Sequence, residues 1–303
     1  MITRFAPSTT GEAHPGTLLS ALLVWLEARR RDGRAILRLE DLDVTRVQAG
    51  WARQLVDACT ELGLIWDETV LQSTQRGAHE AALDRLAAAG RLYPCACSRA
   101  DRAGGRRAPD GGWAYDNTCR RRPLLDWRTE LEPIRLRLDD DRVELVDDGG
   151  LELSQTPAHD MGDPVVRRRD GVVAYHLAVV VDDAASNITD VIRGRDIAPS
   201  TATHVLIQRA LGLPTPRYRH HFLLLEANRS GKLSKLHGSL PYSELRGRLS
   251  PSEIVGRLAF LAGLAVTPAA TNVTDLVLDW SRVPVEDLDP SPVLRVSGDA
   301  APS

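Results

Sequence analysis

Apolar positions open the chain as a short run, Ile2 to Ala6. They then recur at helical spacing over Thr17 to Arg30, with Leu18, Leu22, Trp25 and Leu26 along one side. A second apolar run, Ala35 to Leu39, follows at once, so the pattern predicts a β-α-β unit. Such a unit favours a parallel sheet with right-handed crossovers and a ligand at the carboxyl ends of the strands. Helical patterns continue over Ala49 to Leu62 and Arg76 to Ala89. Ile134 to Leu138 alternates strictly and predicts a half-exposed strand. Val172 to Val181 fits a buried strand or a short helix, which period alone does not separate. NITDVIRG around Val191 predicts a strand, Ser200 to Leu211 a helix and HHFLLLE a further strand, and two helical patterns begin near Ser250 and Thr274.

Composition changes this picture little. The chain of 303 residues can hold one large domain or two smaller ones, and 43% hydrophobic with 26% charged residues is ordinary for a globular protein. No apolar run approaches the roughly 20 residues needed to span a bilayer, and the N-terminus lacks the order of a secretory signal. A cytoplasmic protein without a membrane partner is therefore expected. There, cysteines read as thiols or metal ligands rather than disulfides, and Cys59, inside the helical run QLVDACTELGL, reads as core. The formal net charge of -3 argues against general adhesion to nucleic acid. Arginines nevertheless cluster at Arg29–Arg31, Arg120–Arg122, Arg167–Arg169 and in the run Arg217 to His221. These are candidate phosphate contacts, although each alone reads more simply as a solvated helix end or turn.

Two short stretches carry chemistry. His14-Pro15-Gly16 stands where the first helix begins, where proline has no N–H to lose, glycine lets a ligand approach the backbone, and free amides face an anion. SGKLSK, Ser230 to Lys235, is a small-residue loop with two lysines suited to a triphosphate. Between them, Cys95 to about Arg122 is rich in Gly, Arg, Asp and Pro. There Cys95, Cys97 and Cys119 offer three soft metal ligands.

The pair His-x-Gly and Lys-Leu-Ser-Lys resembles the motif pair of class I aminoacyl-tRNA synthetases. RFAPSTTGEAHPGT with LRLEDLD, AYHLAVVVDD and ITDVIRGRD resembles the glutamyl branch of that class, over about Thr3 to Leu240. The Cys-x-Cys insertion is similar to that of a short form of the branch, which transfers glutamate to the queuosine base in the anticodon of tRNA(Asp). The resemblance implies a Rossmann-like parallel-sheet catalytic domain split over residues 1–94 and 165–245. It also implies a zinc-bearing insertion over 95–164 and a small helical C-terminal part over 246–303 without an anticodon-binding domain. It implies that Arg4, Phe5, Ala6, Pro7, Ser8, Glu40, Tyr175 and Arg193 line a glutamate pocket. His14, Gly16, Lys232 and Lys235 would serve ATP and the transfer of its α-phosphorus, with Mg2+ accompanying ATP. It makes Tyr115 the fourth ligand of one structural Zn2+ beside Cys95, Cys97 and Cys119. The implied partners are L-glutamate, ATP and queuosine-containing tRNA(Asp), and the implied state is a monomer. The alternatives are a truncated glutamyl-tRNA synthetase that charges a tRNA 3′ end and a non-catalytic adenylate or amino-acid binding protein. Three departures stand out: Thr9 where the family usually has proline, Ala13 where a larger apolar residue is usual, and a loop enlarged by Ala103 to Gly112 between Cys97 and Tyr115.

Overall fold

The computed structural model describes residues 1–43, 49–225 and 241–294. In chain order the first elements are β1 (Ile2–Phe5), α1 (Pro15–Arg30), β2 (Arg34–Leu39), α2 (Ala49–Glu61), β3 (Glu68–Leu71) and α3 (Arg76–Ala88). Then come β4 (Leu92–Pro94), β5 (Ile134–Leu136), α4 (Pro157–Asp160), β6 (Val165–Arg167), α5 (Tyr175–Ala185) and β7 (Asp190–Gly194). The last are α6 (Thr201–Ala210), β8 (Arg217–His221), α7 (Tyr242–Arg246), α8 (Pro251–Leu261) and α9 (Ser291–Leu294). The chain divides into two compact units. The first comprises Met1–Val70, Asp190–Asp196 and Arg219–Ser303, and the second Leu71–Thr189 and Ile197–Tyr218.

The first unit is built on the sheet β3-β2-β1-β7-β8, in which β1 runs parallel to both β2 and β7. The expected β-α-β unit is therefore present. Helix α1 starts at Pro15, whose fixed φ suits the first turn, and its basic Arg29 and Arg30 complement the C-terminal end of the helix dipole. The sequence suggests one apolar side, but Leu19 and Leu23 are buried as fully as Leu18 and Leu22. The reason is that α1 packs on β1, β2 and β7 and also on α8. Each such leucine contributes roughly 1.5–3 kcal/mol by burial. Helix α8 begins with a complete capping box between Ser250 and Glu253. The pattern near Thr274 yields only a 3₁₀ turn at Val273–Asp275, in a segment crowded with β-branched residues that disfavour a helix.

The second unit carries the antiparallel sheet β4-β5-β6 and helices α3, α5 and α6. Helices α3 and α5 are joined by a buried polar cluster. Asp182 accepts from Gln72 Nε2 at 2.7 Å and lies 2.6 Å from His79 Nε2. The ambiguous run Val172 to Val181 resolves as the start of α5. Strand β5 is buried throughout instead of half-exposed, because Arg135 folds its charged end onto an aromatic ring. The strand expected at HHFLLLE lies earlier, at Arg217–His221, where Tyr218 and His221 are buried. Within that run Arg217 is exposed and Arg219 and His220 are half-buried.

His221 ties β8 to α1 within the first unit. Its Nδ1–H donates to the Phe222 carbonyl at 2.7 Å, which leaves Nε2 to accept from the Ser20 hydroxyl at 2.9 Å. Complete burial pushes its pKa down to about 4. The folded state therefore holds the neutral ring, while the unfolded chain takes up a proton below about pH 6.5. Stability present above pH 6.5 is then lost as pH falls towards 4, by on the order of 3 kcal/mol. Denaturant titrations at pH 7 and pH 4.5 should show this slope. His221→Asn should flatten it, and an unchanged slope in that variant would exclude His221 as its source.

Candidate active site and candidate metal centre

The carboxyl ends of β1, β2 and β7 and the start of α1 bring one group of expected residues together in the first unit. Beyond β1, Glu40 N–H donates to the Pro7 carbonyl at 3.0 Å, and Thr9 N–H returns the bond to Glu40 O at 3.2 Å. The Thr9 hydroxyl donates to the same carbonyl at 3.2 Å. A proline at position 9 could make neither bond, so the departure at Thr9 has a local physical reason. Arg4 is 3% exposed, Phe5 stacks on Trp66 with centroids 5.6 Å apart, and Ala6, Pro7 and Ser8 run outward from half-buried to exposed. Glu40 Oε1 lies 3.9 Å from buried Arg38. Arg193, on β7, is buried, and its Nε donates to His220 Nε2 at 3.1 Å.

His14 is the N-cap of α1, and its Nδ1 accepts from Thr17 N–H at 3.3 Å. Burial holds its pKa below the ordinary histidine value, so the ring is neutral at pH 7. With Nδ1 used as an acceptor, the proton sits on Nε2, which becomes a directed donor. Gly16 makes room for this ring: a Cβ there would stand 3.1 Å from His14 Cε1. The Ala13 carbonyl accepts from Tyr242 N–H at 2.8 Å, and the small Ala13 side chain is itself core. Two buried guanidinium groups, one carboxylate and a neutral imidazole donor thus share one sheet edge, an arrangement that can hold carboxylates, an ammonium and a phosphate.

The remaining expected residues belong to the second unit or lie outside the described residues. Tyr175 opens α5 in the second unit, where its ring packs edge-on to His176 and His204, with centroids 5.5 and 5.8 Å away. Lys232 and Lys235, with the rest of Ser230 to Lys235, lie outside the described residues. Most clustered arginines are tied up internally. Arg29 pairs with Asp67, Arg30 with Glu27, Arg31 with Asp190, Arg120 with Asp163 and Arg122 with Glu132.

The second unit gathers the cysteines. Strand β4 leads into Cys95, whose N–H donates to Pro133 O at 2.9 Å, and Cys97 packs against the cluster that Tyr93 and Cys95 form with Tyr115 and Cys119. A turn with Asn117 at φ 62° then brings Cys119 back onto Tyr115, whose hydroxyl oxygen accepts from Cys119 N–H at 2.9 Å. The three sulfurs lie within 4.8 Å of one another, Cys97 and Cys119 at 3.6 Å, and the Tyr115 oxygen is 3.4 Å from Cys95 Sγ. Four ligands around a tetrahedral ion with metal–sulfur bonds of about 2.3 Å require sulfurs about 3.8 Å apart. The donor set fits such an ion. Burial opposes ionisation of Cys119, but hydrogen bonds from Tyr115 and Cys97 outweigh it and hold this thiol below the ordinary value. The enlarged loop does not disturb the cluster. It closes on itself through the Arg107–Trp113 bridge, with the Arg107 guanidinium 3.8 Å from the Trp113 ring centroid. The residues that frame the cluster, Gly162, Asp163 and Arg135, escape sequence reasoning because only their tertiary placement marks them.

The chain matches the family described as the catalytic domain of class I tRNA synthetases (E and Q) over residues 1–274. A glutamyl-Q tRNA(Asp) synthetase of Burkholderia mallei is 44% identical, over 78% of this chain and 80% of that one. One of Albidiferax ferrireducens is 40% identical over 78% and 85%, and one of Symbiobacterium thermophilum 40% over 93% and 94%. Among solved structures, a glutamate tRNA ligase of Elizabethkingia meningosepticum, in complex with its amino acid, superposes with a TM-score of 0.78 at 25% identity. The match covers 95% of this chain and 66% of that one.

Gly162 supplies a test of how the cysteine cluster is framed. It has φ 81°, and a Cβ would stand 2.1 Å from the Tyr115 carbonyl, while Tyr115 N–H donates to Met161 O at 2.9 Å. Gly162→Ala is expected to cost more than about 1 kcal/mol in denaturant unfolding. It should also raise the reactivity of Cys95 towards a thiol reagent. Parental stability would show that the loop yields without displacing Tyr115.

Proposed function

The chain belongs to the family of class I tRNA synthetase catalytic domains for glutamate and glutamine, and from that premise we propose that it activates L-glutamate with ATP and transfers it to queuosine in the anticodon of tRNA(Asp). The observation that carries the proposal is the sheet edge shared by Arg4, Glu40, Arg193 and His14. Glutamate has two carboxylates and one ammonium. Two arginines and one acid match that set, through charge-assisted hydrogen bonds that contribute roughly 1.5–3 kcal/mol each. Glutamine would leave an arginine without its carboxylate, which disfavours it. Phe5, Ala6, Pro7 and Ser8 form the backbone wall of the proposed pocket, and Tyr175 joins the set on the family resemblance.

In the proposed first step a glutamate carboxylate oxygen attacks the α-phosphorus of ATP, and pyrophosphate leaves as its bond to that phosphorus breaks. The Nε2–H of His14, at the positive end of α1 beside Gly16, donates to the phosphates. Lys232 and Lys235 offset the charge that develops there, with Mg2+ accompanying ATP. In the second step a hydroxyl of the queuosine cyclopentene ring attacks the activated carbonyl and AMP leaves. The activated ester supplies the driving force, and the protein supplies orientation. We propose Zn2+ as the ion of Cys95, Cys97, Tyr115 and Cys119, in a structural role. The functional division follows the same reading: a split catalytic core over 1–94 and 165–245, an insertion over 95–164 and a helical segment over 246–303.

The choice of queuosine over a tRNA 3′ end is supported by relatives of that specificity that match this chain over 80–94% of their own length. Incubation with labelled glutamate, ATP and tRNA with or without queuosine, followed by nuclease digestion, tests it. Label on the anticodon nucleoside is expected; label on the terminal adenosine would identify a 3′-charging enzyme instead. His14→Ala should lower glutamate-dependent pyrophosphate exchange about 10²- to 10³-fold, as loss of one positioned donor does. Exchange at the parental rate would remove His14 from the adenylation step.

A further inference from the structure

Arg135 is the middle residue of β5 and is only 5% exposed. Its guanidinium carbon lies 3.6 Å from the centroid of the Tyr115 ring. Nη1 donates to the Asp163 carbonyl at 2.5 Å, and the buried Nε has no acceptor. Among the described residues no carboxylate forms an ion pair with it. The Asp163 carboxylate is engaged by the Tyr93 hydroxyl at 2.8 Å, Leu138 N–H at 2.9 Å and Arg120 Nε at 3.1 Å. Arg122, whose guanidinium also reaches the Cys119 thiol, is bonded to Glu132 at 2.5 Å. The charge of Arg135 reaches the Asp163 and Asp116 carboxylates only through space, without a direct ion pair.

A guanidinium does not shed its proton, and a buried charge is costly unless it is compensated. The ring beneath Arg135 belongs to a donor set that would bind a metal through deprotonated ligands. Three thiolates and a phenolate would bring more negative charge than a dication neutralises, and the guanidinium of Arg135 lies against the ring of one of those ligands. We propose that Arg135 is the counter-charge of the metal centre, a positioning residue that raises the affinity of the Cys95, Cys97, Tyr115 and Cys119 set by balancing the charge of the occupied site. The inference rests on the metal reading made above and adds to it a residue outside the ligand set.

The test uses the whole protein, with Zn2+ as the probe, in competition with a chromogenic chelator. Elemental analysis of the parental protein should give one equivalent. Arg135→Gln should then bind Zn2+ about 10- to 100-fold more weakly, the usual cost of losing a partner of a ligand. Arg135→Lys, which keeps the charge but not the planar stack, should stay within about threefold of the parental affinity. A merely structural role would weaken both variants alike in denaturant and leave zinc affinity equal, and that outcome overturns the inference. Should Arg135→Gln fail to fold, Arg135→Lys decides: parental affinity supports the charge role, and a tenfold loss removes it. A parental protein that holds no equivalent of zinc overturns the metal reading itself, and this inference with it.

Discussion

Strand β1 is hydrogen-bonded along both edges, to β2 on one side and β7 on the other, and the first unit is arranged around that constraint. A strand without a free edge has one register. A slip of one residue would turn Arg4 from its buried face to the opposite one. Pairing continues past the strand through Pro7 and Thr9 to Glu40, so the segment that leaves the sheet is still held when it turns towards His14. Residues from the ends of three strands and one helix start therefore sit along a single carboxyl edge. A site that must hold several charged groups in register gains more from such a frame than from loops.

Charge is handled in the same way in both units. Arg4, Arg38, Arg135, Arg167 and Arg193 are buried, which is expensive unless each finds an acceptor, an aromatic face or an anion. Arg167 donates to the Glu130 and Glu132 carbonyls, and Arg135 stacks on Tyr115. The arginines that cluster in sequence are mostly neutralised by nearby acids instead. The more open pairs, such as Arg29 with Asp67, contribute about 0–1 kcal/mol.

Much of the fold can be read along the chain. The apolar periods locate β1, α1, β2, α2, α3, α6 and α8 to within a few residues, because each element shows one consistent period. Reading fails where one residue has two physical identities. Arg135 looks solvent-facing in the alternation of Ile134 to Leu138, yet its stem and planar head pack on a ring. The run ahead of HHFLLLE pairs as β8 although it is rich in arginine and histidine, because His221 finds Ser20 and Phe222 as partners. Ser20 is 201 residues away, and no local pattern encodes such a partner.

The sequence by itself determined the β-α-β core, the His14-Pro15-Gly16 helix start, the three-cysteine set and the likeness to glutamyl-type synthetases, since each depends on neighbours a few residues apart. Only the tertiary structure decided that Arg4, Glu40, Arg193 and His14 share one edge, that the His14 proton sits on Nε2, and that Thr9 clasps Glu40. It also decided that Arg135 stacks on Tyr115 without a direct ion pair. Those facts depend on contacts between residues far apart in the chain, where burial sets the value of each charge and hydrogen bond, and burial is a property of the folded whole.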